Sequence, residues 1–140
     1  MSTLDIDLQF DVPVEHQEEF VRCLREISRQ RRLPIEQASP EQFIPLPSGY
    51  QERHRFIDRF GSLDVFHFDF YSIALSKLRR GNEKDFADVI QMVRDGLIAL
   101  PQLRAFFQEI LPQLESFDIS ADARDFERHF ALFERRLKME

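Results

Sequence analysis

Two carboxylates, Asp5 and Asp7, stand one residue apart in the run LDIDLQF, from Leu4 to Phe10. Leu4, Ile6, Leu8 and Phe10 alternate strictly with Asp5, Asp7 and Gln9, the pattern of a strand with one buried face. Asp5 and Asp7 therefore point the same way. Ionised carboxylates at that separation repel, so solvent, a basic partner, a shared proton or a metal ion must compensate. One reading is the solvated polar face of an edge strand. The other is a divalent-metal platform for phosphoryl or nucleotidyl transfer, in which paired aspartates hold Mg²⁺ against phosphates.

A second group of chemistry-bearing residues lies in DFYSIALSKLRRGNEKDFADVIQMVRDGLI. Ile73, Ala74, Leu75 and Leu78 space as a helix closed by Gly81, with Asp69 or Ser72 near its start. A second helix runs from about Asn82 to Arg94, with Phe86, Val89, Ile90 and Val93 as its buried stripe, and Gly96 ends it. The turn at Arg80-Gly81 brings Lys77, Asp85 and Asp88 into one neighbourhood, and Asp85 and Asp88 share a helix face. These charges form either an ion-pair knot between two helices or a site in which Lys77 reaches a phosphate and an aspartate positions it.

Several chemistries find no material. Four glycines cannot supply a Gly-rich phosphate loop. His16, His54, His67 and His129 match no zinc spacing and read as surface or structural residues. No serine sits in a nucleophile elbow, and Cys23 reads as a packing residue in a helix. A net charge of −6 argues against strong nucleic-acid binding. The apolar runs are too short for a membrane span and no signal-peptide pattern opens the chain, so a cytoplasmic protein is expected.

Elements follow to carry these groups. With 140 residues, 43% hydrophobic, and fifteen phenylalanines, the chain has the size of one domain with an aromatic core: a strand-rich part over 1–70 and a helical part over 71–140. VEHQEEFVRCLREISRQRR reads as a helix, acidic first and basic last, which suits the helix dipole. Arg29, Arg31 and Arg32 then form a basic last turn. Residues 33–50 are Pro-rich loop, with a helical turn after Ser39-Pro40. Gly61-Ser62 joins two strands as a hairpin. The second of these, LDVFHFDF, is apolar on both faces and so reads as central, with Asp64 either a third carboxylate beside Asp5 and Asp7 or a cap near solvent. Two more helices, LPQLRAFFQEILPQLESF and SADARDFERHFALFERRL, complete the chain, the latter with a stripe of Phe126, Phe130, Phe133 and Leu137.

The order Asp5-x-Asp7, FIPLPSGYQERHRFIDRFGSLDV and DFYSIALSKLRRGNEKDFADV resembles small bacterial nucleotidyltransferase-like proteins of the polymerase-beta superfamily, related to transferase toxins of abortive-infection toxin–antitoxin systems. The resemblance covers Thr3 to about Ile98. It implies an α/β (α+β) nucleotidyltransferase-like fold, with a small mixed sheet, packed helices and a helical C-terminal part. By position, Asp5 and Asp7 would bind Mg²⁺ with Asp64 or its rival Asp69 as third carboxylate. Asp5, Asp7, Lys77 and Asp88 would be catalytic, and Lys77, Arg80 and Asp69 would face the NTP. The family pattern also sets a helix and a Gly-Gly or Gly-Ser turn ahead of Asp-x-Asp, whereas here Met1 precedes Asp5 by three residues. The expectation is thus an N-terminally truncated fold that is impaired as a transferase without that Gly motif, since its backbone donors cradle the triphosphate. Apolar sheet surface left open by the missing helix would favour homo-oligomers. If active, the chain transfers a nucleotidyl group from an NTP; if not, it serves as an interaction protein, with a toxin–antitoxin partner as one possibility.

Overall fold

The structure, a computed structural model, describes residues 6–139, and in it the chain divides into two compact units, residues 1–42 and 43–140. Among the described residues the fold is α+β, with two separate two-stranded sheets and most of the chain helical.

In the first unit, β1 (Ile6–Leu8) pairs in parallel with β2 (Ile35–Gln37), in register Ile6 to Ile35, Asp7 to Glu36 and Leu8 to Gln37. Three residues on a Pro-flanked stretch give a weak sequence signal, which is why β2 reads as loop from sequence alone. Between them runs α1 (Val14–Arg31), entered from Pro13, whose fixed φ of −50° suits the position before a first turn. It ends at Arg32, whose left-handed φ of 52° lets its N–H bond the Ser28 carbonyl. No residue of α1 is buried. Cys23, expected to pack, is exposed instead, because the apolar arc of the helix is narrow and Cys23 lies on its flank. The Phe10 and Phe20 rings meet at 5.0 Å.

Among the described residues, the second unit holds every buried apolar side chain of the core. Here β3 (Arg55–Phe60) and β4 (Leu63–His67) form the antiparallel hairpin turned at Gly61-Ser62, with a bulge between Phe56 and Asp58. The expectation of a central strand is corrected: among the described residues β4 pairs with β3 alone. Phe56, Phe60 and Phe66 are each more than half exposed. Phenylalanines on both faces suit a ribbon with neither face covered as well as a central strand, so the pattern could not separate the two.

The helices follow as α2 (Phe70–Arg80), α3 (Glu83–Arg94), α4 (Leu100–Ile110), the single turn α5 (Leu114–Phe117) and α6 (Ala123–Met139). LPQLRAFFQEILPQLESF is one helix by pattern and two in fact, because Pro112 sits in a 3₁₀ turn, Leu111–Gln113, between α4 and α5. Leu75 and Leu78 of α2, Val89 of α3, Leu103 and Ile110 of α4, and Phe126 and Phe133 of α6 are fully enclosed. Phe107 stacks on Phe130 at 4.2 Å and meets Phe126 edge-on at 5.0 Å. Spaced four and three apart, Phe126, Phe130 and Phe133 fall on one side of α6, which makes them core. Among the described residues no helix is long and apolar enough to cross a membrane.

Candidate functional site

The start of α2 is built around Asp69, which is 1% exposed. As N-cap it accepts the Tyr71 and Ser72 backbone N–H groups, each at 3.2 Å, satisfying donors that a first turn leaves open. The Ser72 hydroxyl also donates to it at 2.7 Å. Arg53 then closes both carboxylate oxygens in a bidentate pair at 3.0 Å, its guanidinium lying 4.2 Å from the Phe106 ring centre. The Asp69 N–H donates to His54 Nδ1 at 3.0 Å, so His54 carries its proton on Nε2. A ligand at Asp69 would have to displace Arg53.

The other end of α2 carries the expected charge group. Gly81, at φ +74°, turns the chain into α3, and its N–H bonds the Lys77 carbonyl at 2.9 Å. That turn sets Lys77 Nζ 2.9 Å from Asp88 and the Arg80 guanidinium 2.9 Å from Asp85. Asp85, 3% exposed, also accepts the Asn82 N–H at 3.2 Å and so caps α3 while neutralising Arg80. Lys77 and Asp88 are more open, at 24% and 37% side-chain exposure. They line a shallow cleft of about 300 Å³ with His67, Phe70, Ile73, Gln91, Met92 and Asp95. His67 stacks on Phe70 at 4.1 Å and donates its Nδ1 proton to the Phe68 carbonyl. This cleft offers one cation, an apolar wall with an aromatic ring, and two carboxylates, Asp88 and Asp95. Neither His67 nor Phe70 was singled out as a site residue in the sequence, since a stacked pair spanning a strand end and a helix start has no local signature.

On the hairpin, Asp64 lies opposite Arg59 and takes a bidentate pair from it at 2.6 and 3.0 Å. The hydrogen bond from Arg59, helped by its charge, holds the Asp64 carboxyl below its ordinary 3.8 and raises the Arg59 guanidinium further.

Of the aspartate pair in the first unit, Asp5 lies outside the described residues. Asp7 is exposed on β1, and its register partner across the parallel ladder is Glu36, also exposed. Register partners present side chains on one face about 5 Å apart, so Asp7 has a carboxylate neighbour that the loop reading of 33–50 concealed. Among the described residues no three His, Cys, Asp or Glu side chains are grouped to hold a metal ion. Two carboxylates nonetheless fit Mg²⁺, a hard cation that usually takes one or two protein carboxylates and completes its octahedron with water and phosphate oxygens.

A family model described as nucleotidyltransferase of unknown function (DUF6036) matches residues 1–138. No curated protein and no solved structure matches the chain.

Proposed function

Because the chain belongs to this nucleotidyltransferase family, with 138 of its 140 residues matched, we propose that it binds an NTP and transfers the nucleotidyl group to a hydroxyl of RNA or protein, the hydroxyl oxygen bonding the α-phosphorus as pyrophosphate leaves and the hydroxyl proton passes to solvent. The family match carries the reading. Asp5 and Asp7 are the metal-holding pair, with Glu36 at the register position beside Asp7 as a further oxygen donor. Bound there, Mg²⁺ would supply charge neutralisation at the phosphates. Within the second unit Lys77 is the cation of its own cleft, and to meet a phosphate there its ammonium must leave Asp88, with which it forms a partly exposed ion pair. Arg80 is held by Asp85 and orients the turn at Gly81 rather than reaching a ligand freely.

A second reading has its own observation. Lys77, Arg80, Asp64 and Asp69, four of the charged groups expected at the pocket, are already paired within the second unit. A fold that keeps its ion pairs as structure and no longer turns over would serve as an interaction protein, with a toxin–antitoxin partner as the natural setting.

Incubation with each α-labelled NTP and Mg²⁺ separates them. Label transferred to RNA or protein, and abolished by Asp7→Ala and by Lys77→Met with α2 intact, supports the transferase. No transfer, with unchanged folding, supports the interaction protein.

A further inference from the structure

The charges of α1 are sorted by position along the helix. From residue 11 to 19 the chain carries Asp11, Glu15, Glu18 and Glu19 with no Lys or Arg, and from 22 to 32 it carries five arginines against Glu26 alone. Within the helix only Arg22 with Glu18 and Arg29 with Glu26 pair, so Glu15, Glu19, Arg25 and Arg31 have no ionic partner among the described residues. The same helix presents Val14, Gln17, Val21, Leu24 and Ser28 at alternating spacings of three and four, the repeat of a helix–helix seam. Val14 is 81% exposed and none of the five is buried. A groove of about 400 Å³ takes in the Gln17–Val21 part of this face, with Glu18, Arg22 and Arg25 on its flank and Phe10 of the same chain in its wall.

We propose that this face is an interface with a second copy of the chain, α1 packing antiparallel on α1 of the partner. Reversal about a two-fold near the helix centre sets Val21 against Leu24, and Val14 against the aliphatic stem of Arg31. The flanking positions then oppose Glu18 to Arg25 and Glu15 to the Arg29 turn, twice over by symmetry. A parallel arrangement would instead oppose like charges along the whole length, so the sorting makes the helix complementary to a reversed copy of itself.

The test is the mass of the full chain in solution at about 100 µM, where an association of micromolar strength is complete. The expected value is about 33 kDa, twice the 16.7 kDa chain. Glu15→Arg with Glu18→Arg, and separately Arg25→Glu with Arg29→Glu, should each weaken the dimer at least about tenfold. An equimolar mixture of the two variants should restore it. Val21→Glu, at the seam, should give a monomer of unchanged helicity by circular dichroism. A monomeric wild-type chain overturns the proposal. So does a dimer that both charge variants retain, or a mixture that stays monomeric.

Discussion

Asp69 is the residue on which most of the local order of the second unit converges. Its two oxygens accept from Arg53, Tyr71 and Ser72, with both atoms withdrawn from water. Asp69→Ala removes a helix cap and strands the guanidinium over Phe106, a combination expected to cost about 3 kcal/mol in urea unfolding. Asp64 is its opposite, a carboxylate held by one arginine at the surface. Its folded value lies below the ordinary one, so the stabilisation is present above about 3.8 and is lost as pH falls through the lowered value. Arg59→Ala should return the Asp64 midpoint, followed by carboxyl NMR, to the ordinary range. An unchanged midpoint would mean that the pair is not formed in solution. Both carboxylates were candidate metal ligands by sequence. What separated them was how their neighbours bond them, a property of the folded hairpin and helix start that no spacing in the chain displays.

The turn between α2 and α3 makes the candidate cleft possible, and it depends on a glycine. A Cβ at Gly81 would collide with the His129 imidazole, whose Nδ1 donates to the Leu78 carbonyl, and φ +74° disfavours any L side chain. Gly81→Ala is therefore expected to cost at least about 2 kcal/mol and to loosen the Lys77–Asp88 pair. Stability unchanged by that substitution would contradict the packing. Much of this element structure was legible: the periodicity of α2 and α3, the glycine stop between them, the hairpin at Gly61-Ser62 and the Phe stripe of α6 are all local signals. Three features were not. β2 is too short to show a period, Pro112 interrupts a continuous apolar pattern, and the exposure of β4 depends on what covers it. The site divides along the same line. Lys77 and Asp88 were brought together by a readable turn, whereas Glu36 beside Asp7 and the His67–Phe70 stack arise from pairings between distant segments.

Among the described residues the apolar interior is concentrated in residues 43–140, where all the buried core side chains lie. A fragment of those residues is predicted to unfold cooperatively, with a urea midpoint within about 0.5 M of the full chain. A fragment that fails to fold would contradict a self-sufficient core in that unit. Asp7 stands on the short strand β1 of the first unit and Lys77 on α2 of the second, and in the reading proposed above the chain is a nucleotide-binding transferase. Isothermal titration of the 140-residue protein with each NTP in Mg²⁺ addresses this most directly, with the Asp5→Ala, Asp7→Ala double variant as control. The account predicts a dissociation constant on the order of 10 µM for at least one NTP, lost in the variant. Absence of heat in both proteins, or binding that the variant retains in full, would contradict it.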